Sequence, residues 1–299
     1  MVISATRQAA VLLVATGLFL GATFPIGKLA GEAGVPPTSW VFAMTSGASL
    51  FLLAWALLAG RRLPASRLHL RYYLISAPIS FVIPNLIIFF CIPRIGAGLT
   101  SVMLALSPVL TLALARLLRM RRLDVAGVAG IALGLIGALI IIATRNGGGV
   151  GQPAALGWVA LALLIPAFLA AGNIYRTLHW PDGADPLALA AATNITAAAM
   201  LFLAVFLSGE GSAGLASLAA TPGLLAAQIL STGMMLSLFF RLQQVGGPVY
   251  LSQIGYVAAA VGLVSGTVML GESYPLATWL GALVIVAGVA LVTYSQARQ

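Results

Sequence analysis

Amide, hydroxyl, thioether and aromatic side chains recur on one face of an apolar segment in the second half of the chain. Gln228, Ser231, Thr232 and Met235 follow the i, i+3, i+4, i+7 spacing of a helix face, and Phe239 continues it. Amides and hydroxyls form hydrogen bonds, while thioethers and rings offer polarisable contact surface. This face could bind an amphiphilic solute. The alternative is helix packing, because serine and threonine commonly join membrane helices.

Three other apolar segments supply five further candidates for a binding cavity. Gln253 and Tyr256 lie three residues apart and could line one cavity wall. Pro84 removes a backbone hydrogen bond beside Asn85, and a helix broken there could offer carbonyl ligands to a solute. The alternative is a simple kink with Asn85 bonded to a neighbouring helix. The same two interpretations apply to Asn173.

Two cations and one carboxylate lie close to the ends of apolar segments. Lys28 and Arg176 end the first and sixth segments at comparable places, where they could attract a carboxylate near opposite mouths of a cavity. The commoner fate of such residues is to extend towards the lipid interface, which is the outcome we expect. Glu272, followed by Pro275, predicts an N-terminal cap of the tenth segment.

No HExxH motif, membrane Asp pair or Ser-His arrangement can be assembled from the apolar segments. His69 and His179 fall in predicted loops, and Cys91 is the single cysteine. The six acidic residues lie in or beside predicted loops: Glu32, Asp124, Asp182, Asp185, Glu210 and Glu272. This pattern argues against an intramembrane enzyme, a metal site or a cofactor, and it disfavours proton coupling. A channel is also disfavoured, because it would need rings of charged side chains along its helices, and the sequence shows none.

The elements that carry these residues are apolar segments of membrane-spanning length. Because 61% of the 299 residues are hydrophobic and 7% are charged, lipid must be the main solvent. A hydrocarbon core of roughly 30 Å needs about 20 apolar residues as helix, and these runs lack the alternation of a β-barrel. The sequence predicts an all-α membrane protein with ten spans: 9–30, 38–59, 72–91, 96–118, 124–144, 155–177, 186–208, 222–242, 248–270 and 275–295.

Basic residues predict the orientation of the spans. With both termini cytoplasmic, twelve cations lie inside and Lys28, Arg94 and Arg145 lie outside, as the positive-inside rule requires. The basic residues form short clusters between apolar runs and not one continuous patch, which argues against nucleic-acid binding. The cytoplasmic cations are Arg7, Arg61, Arg62, Arg67, Arg71, Arg116, Arg119, Arg121, Arg122, Arg176, Arg241 and Arg298.

The two halves of the chain resemble each other. Gly130 and Gly137 in the fifth span match Gly281 and Gly288 in the tenth, and both pairs predict a close-packed seam. Since five is an odd number of spans, the second copy must cross the membrane in the opposite sense. Inverted repeats are a transporter architecture with the solute site near the midplane. The predicted parts are repeats at residues 1–145 and 155–299 and a glycine-rich linker at residues 146–154.

Several weak motifs together resemble the EamA-type branch of the drug/metabolite transporter superfamily. They are the run from Thr23 to Lys28 near the end of the first span, Gly271-Glu272 after the ninth, and the glycine spacing of the fifth and tenth. The first half departs from the family pattern, because Met120-Arg121 stands where a Gly-Glu pair is expected.

Within that branch the chain looks most like bacterial amino-acid exporters, including those for aromatic amino acids. The resemblance implies export of an amino-acid-like solute across the bacterial inner membrane, by alternating access and without a cofactor. We expect a monomeric facilitator with the lipid bilayer as its surroundings. Export of drugs or other metabolites coupled to protons is the alternative.

Overall fold

The regular structure of the described residues is helical. The structure, a computed structural model, describes residues 2–120, 125–144, 153–209 and 211–297, and no strand occurs within these ranges. Most of the predicted linker, residues 146–152, lies outside them, as do Arg121, Arg122, Arg145 and Arg298. The predicted all-α class is therefore confirmed for the described part of the chain.

The α-helices of this described part are numbered in chain order. They are α1 (Val2–Glu32), α2 (Pro37–Leu58), α3 (Arg67–Ala77), α4 (Ile83–Ile95), α5 (Ala97–Met103), α6 (Ser107–Leu117), α7 (Val125–Thr144), α8 (Pro153–Ala162), α9 (Leu164–Leu178), α10 (Pro186–Leu207), α11 (Gly211–Ala216), α12 (Pro222–Ser252), α13 (Ile254–Val268) and α14 (Leu276–Ala297). A π-helical turn, Pro78–Val82, joins α3 to α4, and 3₁₀ turns at Leu104–Leu106 and Ser217–Ala220 precede α6 and α12.

Among the residues that the structure describes, seven helical segments are long and apolar enough to cross a membrane, and they lie at predicted spans. They are Gln8–Glu32, Pro37–Leu58, Arg67–Ile95, Ala97–Leu117, Gly157–Leu178, Pro186–Leu207 and Pro222–Pro248. The other three predicted spans coincide with shorter apolar helices, at Val125–Gly137, Ile254–Val268 and Leu276–Gly288. Helix α12 contains the eighth span and the start of the ninth, and it is kinked at Gly247, whose φ of 68° and ψ of −178° are not helical.

Helix starts follow local chemistry. Pro37, Pro186 and Pro222 begin their helices, where the missing N–H would have no intrahelical partner. Asp185 caps α10, since its Oδ1 accepts hydrogen bonds from the backbone N–H groups of Leu187 at 3.0 Å and Ala188 at 3.1 Å. The sequence thus encodes these boundaries directly.

The irregular backbone in the third span lies earlier than Pro84 suggested. The π-helical turn Pro78–Val82 interrupts the helix, and Pro84 falls in the first turn of α4, where proline is tolerated. Turns of this kind concentrate at functional sites, because the widened helix leaves backbone groups poorly paired. Ser80, in the middle of the turn, is buried.

Glycines join α7 to α14, as predicted for the fifth and tenth spans. A Cβ on Gly137 would lie 2.6 Å from the Gly281 carbonyl oxygen, and one on Gly288 would lie 2.6 Å from that of Gly130. Contacts this short leave no room for a side chain against backbone that cannot move aside. The close-packed seam is therefore confirmed.

Helices from the two halves pack in a reciprocal pattern around the centre of the protein. Helix α1 packs against α12 and α13, while α9, from the second half, packs against α4 and α6. Helix α2 packs along α10 and also contacts α12. This arrangement brings the polar faces of α9 and α12 together with the π-helical turn.

Candidate functional site

A narrow cavity lies where α1, the π-helical turn, α4, α9, α12 and α13 converge. Its free volume is about 50 Å³. In this conformation it has room for a few water molecules and not for a whole aromatic amino acid. The cavity is lined by Leu20, Ser80, Phe81, Asn85, Ile88, Leu104, Ser107, Leu169, Asn173, Met235, Phe239, Ser252, Ile254 and Gly255.

Four of the nine predicted cavity residues lie together in this lining. Asn85 and Asn173 contribute amide groups, while Met235 and Phe239 contribute a thioether and a ring. These four come from three different helices, so the structure brings together residues that the sequence could only group by helix. The remaining predicted residues do not line this cavity: Pro84, Gln228, Thr232, Gln253 and Tyr256.

Gln228 joins α12 to α1, and Thr232 accepts a hydrogen bond from Gln228 within α12; neither residue lines the cavity. The Gln228 Nε2 donates hydrogen bonds to the Thr23 Oγ1 at 3.2 Å and to the Thr232 Oγ1 at 3.0 Å. One residue before Thr232, the Ser231 Oγ donates to the Phe19 carbonyl at 2.9 Å. This half of the polar face is turned towards α1, as the packing alternative predicted.

Gln253 and Tyr256 lie near the cavity at the junction of α12 and α13. Gln253 is buried, and its neighbours Ser252 and Ile254 both line the cavity. The Tyr256 hydroxyl is buried and has no hydrogen-bond partner within the described residues. Both residues therefore belong to the wall that supports the lining.

Arg176 is completely buried, so the expectation that it extends to the lipid interface is wrong. Its side chain is 1% exposed. The Nε donates to the Gln243 Oε1 at 2.7 Å, and the Nη2 donates to the Asn173 Oδ1 at 2.7 Å. The guanidinium carbon also lies 4.8 Å from the ring centre of Phe239 and 5.5 Å from that of Phe81. Amide acceptors and ring faces together stabilise the charge inside the protein.

Gln243 holds this cluster in place between α9 and α12. Its Nε2 donates to the Asn173 carbonyl and to the Thr177 Oγ1, both at 3.2 Å, while its Oε1 accepts from Arg176. The sequence did carry a signal for the cluster, because Asn173 lies one helical turn before Arg176. The sequence could not show that Arg176 of α9 pairs with Gln243 of α12.

Lys28 pairs with Glu272, which corrects two expectations. Lys28 Nζ lies 2.8 Å from Glu272 Oε1, so this lysine does not extend to the lipid interface. The carboxylate also accepts hydrogen bonds from the backbone N–H groups of Ala97 at 2.7 Å and Gly98 at 2.9 Å, and from the Tyr274 hydroxyl. Glu272 thus caps the N-terminus of α5, and not that of the tenth span.

The backbone at Gly96 allows this capping. Gly96 has a φ of 89°, and a Cβ there would lie 3.0 Å from the Glu272 Oε1. Burial would raise the pKa of Glu272, but hydrogen bonds from Lys28, Tyr274 and the N–H groups of Gly98 and Ala97 outweigh it and hold the pKa below its ordinary value. The carboxylate is therefore ionised at neutral pH.

The chemistry of the lining is that of a binding site. No group of three His, Cys, Asp or Glu side chains that could hold a metal ion occurs in the described parts of the chain. Amides, three serine hydroxyls, a thioether and aromatic rings surround the cavity within a bundle of apolar helices. Such a bundle with a central cavity belongs to the class of membrane transporters for small solutes.

Comparison with known proteins gives the family. The sequence matches the EamA-like transporter family over residues 7–143 and again over residues 157–294. The chain therefore belongs to the EamA-like transporter family and is a membrane transporter.

Relatives and a solved structure agree with this assignment. The chain is 28% identical, over 94% of its length and 89% of theirs, to proteins named uncharacterized inner membrane transporter YedA from Escherichia coli K12 and from Escherichia coli O157:H7. A crystal structure matches with a TM-score of 0.69 and 18% identity, covering 97% of this chain and 96% of that one. That structure supports the fold alone.

Proposed function

We propose that this transporter exports small metabolites, above all neutral or aromatic amino acids, across the bacterial inner membrane. The observation that carries the proposal is the cavity, whose lining includes Asn85, Asn173, Met235 and Phe239. Amides can bind a polar head group, and the thioether and ring suit an apolar or aromatic body. Similarity to Escherichia coli inner membrane transporters supports the location.

The proposed mechanism is alternating access between two inverted five-helix repeats, residues 1–145 and 155–299, in a monomer. Two matches to the family, one in each half, support the repeats. So does the reciprocal packing of α1 and α9. In such architectures one repeat rocks against the other around a fixed solute site, which agrees with a cavity that is narrow in this conformation.

Two ion pairs support the proposed number of spans between their partners. Lys28 and Glu272 both fall on the predicted outer side, whereas Arg61 and Asp185, 3.5 Å apart from Nε to Oδ2, both fall on the predicted cytoplasmic side. Each pair joins two positions that the spans place on the same face of the membrane. An error of one span between the partners would place them on opposite faces.

We propose that the solute's own gradient drives transport. The acidic residues in the described part of the chain, Glu32, Asp182, Asp185 and Glu272, lie at helix ends or in connections and not at the cavity. A proton-coupled carrier needs a titratable group along the solute path. This arrangement favours a facilitator over a proton-coupled exporter of drugs.

The test is counterflow in proteoliposomes that contain only the purified protein. Liposomes loaded with unlabelled phenylalanine, leucine or glutamate are diluted into the same labelled amino acid, with and without an imposed pH gradient. Saturable exchange of neutral or aromatic amino acids that ignores the pH gradient supports the proposal. Accumulation that follows the pH gradient would replace the facilitator with a proton-coupled exporter, and absence of flux for every amino acid would refute the substrate assignment.

A further inference from the structure

Arg176 is a buried cation whose hydrogen-bonding groups are only partly used. Its Nη1 has no acceptor in the described part of the chain, and the hydroxyl of Ser80 is also buried without a partner there. Both groups flank Gly172, where an added Cβ would touch the Ser80 Oγ and lie 3.2 Å from the Arg176 Nη1. Ser80 lines the cavity, and Arg176 lies directly behind the lining, in contact with the lining residues Asn173 and Phe239.

The corresponding cations of the two halves of the chain have different partners. Lys28 and Arg176 end corresponding helices, and Lys28 meets the carboxylate of Glu272 at 2.8 Å. Arg176 meets amide oxygens and aromatic rings, with no carboxylate within salt-bridge distance among the described residues. An arginine is rarely buried without a counter-ion, because removing its charge from water costs several kcal/mol. A carboxylate would supply both the missing counter-ion and an acceptor for the Nη1.

We propose that Arg176 binds the carboxylate of the transported solute. Its Nη1 and the Ser80 hydroxyl donate to the carboxylate oxygens, while Asn173 holds the guanidinium in position. The rings of Phe81 and Phe239, which now cover the guanidinium, contact the solute's apolar body. A charge-assisted hydrogen bond is stronger than a contact between a cation and a ring, so the carboxylate displaces the rings from the charge.

The substrate class that follows is a small monocarboxylate with an apolar or aromatic body. Amino acids are one case of this class, and the inference thus rests on the proposed function while narrowing it. A solute with the same ring but an uncharged amide or an amine in place of the carboxylate lacks the group that Arg176 recognises. This difference separates the inference from a general preference for aromatic solutes.

The first experiment uses the unaltered protein. Thermal unfolding of the purified transporter is followed with phenylacetate, phenylacetamide, phenethylamine and phenylalanine, each at the same series of concentrations. Phenylacetate and phenylalanine are expected to raise the melting temperature with saturation, and phenylacetamide and phenethylamine are expected to leave it unchanged. Because no substitution is involved, a folding defect cannot produce this result.

The second experiment uses substitutions. Arg176→Gln is expected to weaken the apparent affinity for phenylacetate at least tenfold and to remove the discrimination against phenylacetamide. Arg176→Lys keeps the positive charge and is expected to weaken the affinity for phenylacetate by a smaller factor. Arg94→Gln is the matched control, because Arg94 is an exposed arginine that stacks 4.1 Å from the ring centre of Trp158. Arg94→Gln should leave the apparent affinities for phenylacetate and phenylacetamide unchanged.

The outcomes separate this inference from the proposed function. Equal stabilisation by phenylacetamide and phenylacetate, or no stabilisation by any carboxylate, overturns the role of Arg176 whatever the counterflow assay shows. Stabilisation by phenylacetate without amino-acid flux keeps the carboxylate site and refutes the amino-acid assignment. Arg176→Gln protein that folds and still prefers phenylacetate also overturns the inference.

Discussion

Lys28 Nζ and Glu272 Oε1 lie 2.8 Å apart, although 244 positions separate the two residues in the chain. The lysine ends α1, and the carboxylate belongs to the connection between α13 and α14 while capping α5. One carboxylate therefore ties α1 and α5 to the connection between α13 and α14. Charge-assisted hydrogen bonds of this kind are about twice as strong as neutral ones.

Removing the charge of Glu272 should destabilise the protein. Glu272→Gln keeps the shape of the side chain but weakens its bonds to Lys28 and to the two backbone N–H groups, at a cost on the order of 1–3 kcal/mol. Thermal unfolding in detergent measures the loss. Glu32→Gln is the control, since this exposed carboxylate lies 3.9 Å from the Lys28 Nζ. Equal melting temperatures for the two variants would contradict the capping role.

Acid should weaken the same contact. Because the pKa of Glu272 in the folded protein lies below its ordinary value of 4.5, ionised Glu272 stabilises the fold fully above that value. The stabilisation is lost as the pH falls through the lower, folded pKa. Melting curves measured between pH 7 and pH 3 should show a smaller decline in Glu272→Gln than in the unaltered protein. Equal falls of the melting temperature in the two proteins would show that the protonation of other groups causes the acid destabilisation.

The glycine seam between α7 and α14 should not tolerate side chains. Gly288→Ala places a Cβ 2.6 Å from the Gly130 carbonyl and 2.7 Å from the Gly134 nitrogen, and neither backbone atom can move aside cheaply. We expect a loss of about 1–3 kcal/mol from overpacking. Gly223→Ala is the matched control, because nothing lies within 4 Å of its added Cβ. If Gly288→Ala left the free energy of unfolding unchanged, α7 and α14 would be able to move apart at this contact.

Substitutions in α12 should separate packing from solute binding. Gln228→Ala removes the bonds to Thr23 and Thr232 and should lower the melting temperature while leaving the apparent KM of counterflow nearly unchanged. Met235→Ala removes a contact from the cavity lining and should raise KM for aromatic solutes several-fold with little effect on stability. The reverse pattern would show that the solute binds along the α1 side of α12.

Periodicity and charge predicted the helical class and the position of the spans because both follow from the local chemistry of the bilayer. Glycine spacing predicted the α7–α14 seam for the same reason: a helix shows its small residues at fixed intervals. The polar face of α12 was harder to interpret. Gln228 and Met235 share that face, yet one packs against α1 and the other lines the cavity, and this distinction depends on which helix lies opposite.

The charged residues were the least predictable. Arg176 and Lys28 both looked like interfacial cations, because sequence shows a cation at a helix end and not its surroundings. Their partners, Gln243 and Glu272, come from distant parts of the chain. Glu272 was assigned to the helix that follows it, whereas tertiary packing places it on the N-terminus of α5.

The seam between α7 and α14 also limits how the molecule can move. One helix of the pair comes from each half of the chain, and the pair packs far more extensively on itself than on any other helix. The two halves are therefore joined along α7 and α14 by backbone contacts that leave no room for side chains. In the alternating access proposed above, this seam would be the line about which the halves turn, and the largest displacement would fall on the helices farthest from it.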